Sequence, residues 1–448
     1  MNCKEVPVSR PFIIVAFVVS FLPAAVLAQS SPKFLPLGRA DAALYTPDAG
    51  PAPHVGVLVI HRTADYLRHP ACTELSRRGF MVLCINTRFN NNEMLVRFED
   101  LALDVKAGMQ FLRAQPGITK VLLFGHSGGG PTTSFYQAVA ENGTAFCKAP
   151  GKLVQCTDEF AGLPAADGIV FADAHPGNPV NVLRGLNPSV IDETNPPSSK
   201  VNADLDPFNP KNGFNPRGSS HYSAEFQKRY YAAQSKRMNA LIDSSLAKLE
   251  KMKQGKYPYP DDDILVIPRG GNPGAGPGAA AALFDYDSDI LEIFGTARPE
   301  KLLRNDGSIV TQVVKSVFVA EPQLEPLHRT FDGGTKVLSL RSFLSANAVR
   351  STDSLFGIDE CSTNNSTICA VGSIRVPELF VAMGAHYFVR DMEREYDAAI
   401  TKDKDLIVIE GATHGFTPCT RCEATPGQYS NSEKNFFDYV AGWISKRY

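Results

Sequence analysis

Unbroken apolar runs, rather than alternating ones, mark the first third of the chain. Residues 54–60 (His-Val-Gly-Val-Leu-Val-Ile), 80–85, 120–124 and 168–172 are apolar almost throughout. Runs of this kind fit strands buried on both faces of a parallel sheet. Between them the apolar positions take helical spacing, as at Leu101, Val105, Met109 and Leu112. Helices are predicted over residues 72–79, 95–114 and 127–141. The alternation predicts an α/β chain with a mostly parallel, doubly wound sheet.

The pattern breaks after residue 176. Pro- and Asn-rich segments lead into a charged helical stretch at 221–256, stopped by Tyr257-Pro-Tyr-Pro260. A Gly/Pro/Ala run spans 270–282, and β-like pieces follow at 309–318 and 336–344. The α/β alternation resumes with a strand from 377, a helix near 391–400, a strand at 406–409 and a last helix at 433–443. The expected organisation is a core of residues 29–176 and 371–448, interrupted by an inserted lid or cap at 177–370. Tyr230 and Tyr231 on its long helix are candidate substrate contacts.

Residues 1–28 stand apart. Lys4 and Arg10 precede an apolar stretch shorter than the roughly 20 residues of a membrane span, and Val26-Leu27-Ala28 places small residues before Gln29. That is the order of a secretory signal peptide. The expectation is a secreted chain, extracellular or periplasmic, with no stable membrane anchor. Of the nine cysteines, Cys3 falls in this segment and the rest follow it. An even number in an oxidising compartment favours disulfides. Cys147 with Cys156, Cys361 with Cys369 and Cys419 with Cys422 are near neighbours in sequence, whereas Cys84 lies in an apolar run and reads as a buried thiol. Sequons at Asn142, Asn364 and Asn365 mark candidate glycosylation sites. A net charge of −2 without a basic run argues against a nucleic-acid partner.

The chemistry concentrates at strand ends. Gly125-His126-Ser127-Gly128-Gly129-Gly130 directly follows one apolar run and opens a helix. Glycines on both sides of Ser127 permit a sharp turn that lifts its hydroxyl to the helix N-terminus. The 406–409 strand runs into Glu410-Gly-Ala-Thr-His414-Gly-Phe416, and an earlier strand ends in His61-Arg62-Thr63. These three segments together resemble the α/β-hydrolase superfamily over residues 50–176 and 375–448. The resemblance implies an α/β-hydrolase fold and a serine esterase- or lipase-like activity. Ser127 would be the nucleophile and His414 its base.

The resemblance also implies a carboxylate between these two in sequence. Asp391 is the leading choice, with Asp173 and Glu393 left open. It implies an oxyanion hole from the Gly128 N–H and a second donor near Thr63, where His61-Arg62-Thr63 replaces the superfamily's His-Gly-Gly-Gly. His126 is expected to pack beside the nucleophile, and His61, His175 and His386 to line the pocket. The expected function is a secreted serine hydrolase that cleaves a carboxylic ester or lactone through an acyl-enzyme, with no cofactor and no metal. A peptidase or amidase with the same triad and an inactive hydrolase-fold binding protein are the alternatives.

Overall fold

The computed structural model describes residues 31–194, 200–271, 279–318 and 325–448. The expected signal peptide and most of the 270–282 run lie outside these residues. Twelve strands are defined: β1 (Lys33–Leu37), β2 (Ala40–Tyr45), β3 (Val55–Ile60), β4 (Met81–Asn86), β5 (Lys120–His126), β6 (Gly168–Ala172), β7 (Ile264–Ile267), β8 (Gly295–Leu303), β9 (Ile309–Lys315), β10 (Lys336–Ser339), β11 (Glu378–Met383) and β12 (Lys404–Ile409). Ten of them form one sheet in the order β1-β2-β4-β3-β5-β6-β11-β12-β8-β9. The seven strands from β4 to β8 in that order run parallel. Antiparallel strands close both edges, β1 and β2 at one and β9 at the other.

The inner strands β3, β5, β6 and β11 are buried along nearly their whole length, because helices cover both faces. The helices α2 (Leu101–Arg113) and α3 (Gly129–Asn142) pack on one face, with α6 (Thr367–Val371) and α7 (Val389–Ala398) beside them. The other face is covered by α1 (Pro70–Arg77) and α8 (Ser432–Ser445). Leu101, Val105, Met109 and Leu112 all reach the core of the first face, as their spacing predicts. Each such fully buried side chain contributes about 1.5–3 kcal/mol of transfer free energy. The result is an α/β fold whose ten-stranded sheet is mixed rather than purely parallel.

The segment between β6 and β11, expected as an inserted lid or cap, also reaches the main sheet. Its β8–β9 hairpin joins the main sheet beyond β12, so residues 177–370 supply part of the core. The remainder holds α4 (Asn178–Gly185), the two-stranded β7–β10 sheet and the 30-residue α5 (Ala224–Lys253). Helix α5 starts where the Ser223 hydroxyl accepts from the Phe226 N–H and ends with Lys251 and Lys253, both favourable to the helix dipole. Tyr230 and Tyr231 are buried in an aromatic cluster with Phe226 and Tyr286, and the Tyr230 hydroxyl donates to the Ala281 carbonyl. They hold the helix in place rather than line an open surface.

All eight described cysteines pair. The three expected neighbours are joined, and Cys84 bonds Cys72 across the contact between β4 and α1, so it is not a free thiol. Two of the sequon asparagines lie inside the fold. Asn364 and Asn365 are buried and spend their amide N–H groups on Glu99, Val154 and Ala346. No described helix is long and apolar enough to cross a membrane. Peptide mapping without reduction should recover Cys72–Cys84, Cys147–Cys156, Cys361–Cys369 and Cys419–Cys422. A Cys84 that alkylates before reduction would contradict the first pairing.

Candidate active site

Strands β5 and β6 lie side by side with His126 opposite Ala172. The next residue of each, Ser127 and Asp173, therefore leaves the sheet at the same level. Both adopt left-handed backbone, with φ of 55° and 43°. This conformation is uncommon for non-glycine residues and clusters at functional sites. The neighbouring glycines explain how the turn fits. A Cβ on Gly129 would stand 2.2 Å from the Ile60 carbonyl, and one on Gly125 would stand 2.5 Å from Thr133 Oγ1. Any side chain there would push the elbow off the sheet.

His414 follows β12 in a loop closed by the Thr413 N–H to the Thr417 carbonyl and by the Ala412–Pro418 bridge. Its Nδ1 meets Asp173 Oδ2 at 2.6 Å. The other oxygen, Oδ1, accepts from the Met383 N–H at the end of β11. His386 Nδ1 also lies 2.7 Å from Asp173 Oδ2, without the alignment of a hydrogen bond. Its ring stacks on His414 at 4.4 Å between centroids. Asp173 is fully buried. Burial alone raises its pKa, but the imidazoles of His386 and His414 outweigh this and hold the carboxyl well below the usual range. An ionised Asp173 fixes the His414 proton on Nδ1 and leaves Nε2 as a free acceptor.

This geometry corrects the leading choice of acid. Asp391 lies in the first turn of α7, where it is buried in a bidentate ion pair with Arg184 of α4, at 2.6 and 2.9 Å. Glu393 accepts from the Ala297 N–H and from Arg390. Neither reaches His414. The carboxylate at His414 is Asp173, whose signal in the sequence was its position directly after a strand.

The other histidines form a connected set. His126 Nε2 donates to the His414 carbonyl at 2.8 Å, and its Nδ1 lies 2.9 Å from both the Tyr66 hydroxyl and His69 Nε2. His69 Nδ1 in turn accepts from the Ala71 N–H. A carbonyl only accepts and an N–H only donates, so both rings sit neutral in defined tautomers. Burial lowers the pKa of each, that of His69 to about 3. Together they hold the His414 loop beside the elbow.

The loop after β3 departs from expectation. Thr63, expected as an oxyanion donor, gives its N–H to His61 Nδ1 at 3.0 Å and its hydroxyl to Glu93 Oε1. The Ala64 N–H also donates to His61 Nδ1, at 2.8 Å. Arg62 grips the same Glu93 with two hydrogen bonds. Thr63 is thus committed to the loop itself. Gly128 remains at the helix entry, where N–H groups lack intrahelical partners.

Two described groups place three potential metal ligands within 4.8 Å of one another: Asp173 with His386 and His414, and His221 with Asp287 and Asp289. In the first, contacts of 2.6 and 2.7 Å are shorter than the roughly 3.3 Å between neighbouring ligands around a zinc ion. They are the separations of a carboxylate paired directly with imidazoles.

No family model matches the chain, and no curated protein matches its sequence. Among solved structures, a hypothetical protein from Pseudomonas aeruginosa aligns over 93% of this chain and 93% of its own, at 13% identity and a TM-score of 0.37. DcsB in complex with its substrate analogue aligns over 93% and 99%, at 10% identity and 0.44. A dienelactone hydrolase from Anabaena variabilis aligns over 93% and 98%, at 12% identity and 0.35. These similarities are too remote to bear on chemistry, which rests on the residues above.

The Asp391 and Glu360 environment yields two stability predictions. Asp391→Ala leaves Arg184 buried without its partner and is expected to cost about 3–5 kcal/mol, measured by urea unfolding. Burial raises the Glu360 carboxyl from 4.5 to about 7, against the opposing pull of Arg394 and the Ser366 hydroxyl. The folded protein then keeps a proton that the unfolded chain releases. Stability from this group is therefore complete below about pH 4.5 and declines as pH rises to about 7. Glu360→Gln should flatten that decline, so the variant gains on the parent protein at pH 8 relative to pH 5. An unchanged difference between the two pH values would contradict the assignment.

Proposed function

We propose that this chain is a serine hydrolase that cleaves a carboxylic ester or lactone through an acyl-enzyme intermediate. The observation that carries the reading is the hydrogen bond between half-buried His414 and fully buried Asp173, with Asp173 and Ser127 leaving adjacent strands in left-handed backbone. Ser127 Oγ attacks the carbonyl carbon as His414 Nε2 takes its proton. Asp173 keeps the imidazole in the required tautomer and stabilises the imidazolium that forms. The tetrahedral intermediate collapses, and His414 returns the proton to the departing alkoxide. A water molecule activated by His414 then releases the acid and restores Ser127. In a lactone the alcohol and acid are two ends of one product.

The reading includes export, supported by the four disulfides and by the targeting pattern of residues 1–28. The segment between β6 and β11 is proposed to cap the site. Its helix α4 begins a few residues after Asp173 and is tied to α7 through Arg184.

Ser127→Ala should abolish hydrolysis of p-nitrophenyl butyrate and labelling by a fluorophosphonate, with the melting temperature unchanged. Asp173→Asn should lower kcat by about 10⁴-fold, whereas Asp391→Asn should leave the turnover of folded protein close to that of the parent. Labelling that survives in Ser127→Ala would place the nucleophile elsewhere.

A further inference from the structure

An acyl-transfer site needs at least two donors where the carbonyl oxygen becomes an oxyanion. The Gly128 N–H supplies one. The expected second donor, Thr63, is committed to the loop. The acceptor of its N–H is the His61 imidazole. His61 Nδ1 receives both the Thr63 and the Ala64 N–H groups, so it is the unprotonated nitrogen, and the ring proton sits on Nε2. That nitrogen faces the elbow. A Cβ placed on Gly128, the residue after Ser127, would lie 2.7 Å from His61 Nε2. Only the missing side chain of Gly128 leaves room for it there. His175 Nε2 lies 3.2 Å from the same point, so the space over Gly128 is walled by two imidazoles.

We propose that the His61 side chain is an oxyanion donor, its Nε2–H acting with the Gly128 N–H on the tetrahedral oxygen. This rests on the serine-hydrolase reading and names a further catalytic residue for it. His61 transfers no proton. Its N–H shortens its hydrogen bond as charge develops on the substrate oxygen and relaxes when the intermediate collapses. The loop is built to hold the ring still: the two residues after it, Arg62 and Thr63, are locked to Glu93, and Tyr66 packs against the imidazole at 4.9 Å. Burial first, then the Arg62 guanidinium, keeps the ring neutral by pushing its pKa well below the ordinary value. A neutral donor fixed in place needs no reorganisation when the oxyanion forms.

Two substitutions separate the roles of the two ring nitrogens. In His61→Asn the amide oxygen can still accept from Thr63 and Ala64, but no donor reaches the elbow. In His61→Gln the amide nitrogen reaches the position of Nε2. With p-nitrophenyl butyrate, His61→Asn is expected to lose roughly 100- to 1,000-fold in kcat with little change in KM. Its affinity for a trifluoromethyl ketone, which forms a tetrahedral oxyanion on serine, should fall in parallel. His61→Gln should recover much of both. A His61→Asn variant with parental kcat, beside an inactive Ser127→Ala, would overturn the role of His61 alone. A His61→Gln variant that falls as far as His61→Asn at unchanged melting temperature would show that a donor at the Nε2 position does not restore the reaction, and would overturn it too. A Ser127→Ala variant that still turns over the ester would remove the underlying reading and this proposal with it.

Discussion

A carboxylate taken wholly out of water must have its charge met by nearby donors, or it will take up a proton instead. Asp173 is fully buried, and it accepts from the Met383 N–H and is hydrogen-bonded to His414, with the His386 ring alongside. Those groups come from the end of β11 and the loops after β11 and β12, while Asp173 itself leaves β6. The strand order β5-β6-β11-β12 is what brings them together. Placing β6 between β5 and β11 lets one carboxylate face His414 from inside the protein.

The same crowding governs the remaining histidines. His61, His69, His126, His175 and His386 all have lowered pKa values with burial as the leading cause. Several also lower one another, since two neighbouring imidazoles resist carrying charge together. Neutral rings make directional contacts: each has one nitrogen that donates and one that accepts. The chain from His69 through His126 to the His414 carbonyl uses this polarity to position a loop. The contacts at His61 Nδ1 use it to aim a proton at the elbow. One residue type thus makes contacts of both kinds, with the hydrogen-bond partners deciding which nitrogen carries the proton.

The segment between β6 and β11 is bound into the core at both of its sides. The β8–β9 hairpin extends the sheet beyond β12, and the Arg184–Asp391 pair joins α4 to α7. A buried ion pair adds little stability over a well-packed apolar contact but is costly to break, so it fixes the relation between these two helices. Asp391, the leading choice of acid from its sequence position, pairs with Arg184 and not with His414.

The elements carried by local pattern were legible in the sequence. Continuous apolar runs marked the parallel strands, the 3.6-residue spacing marked α2, and the glycines around Ser127 marked the elbow, because each depends on residues a few positions apart. His414 was legible for the same reason, as a histidine just past a strand. The short edge strands β1 and β2 carried no such pattern and were missed, and the mixed character of the sheet with them. Asp173, Asp391 and Glu393 could not be told apart, because all three follow strands and only the lateral order of the strands decides which faces the base. The Cys72–Cys84 bond and the burial of Asn364 and Asn365 were hidden for a related reason: they depend on which element packs over which. The state of each histidine was settled only in the fold, because proton position follows from the hydrogen-bond partners, and those come from segments as much as 288 residues apart.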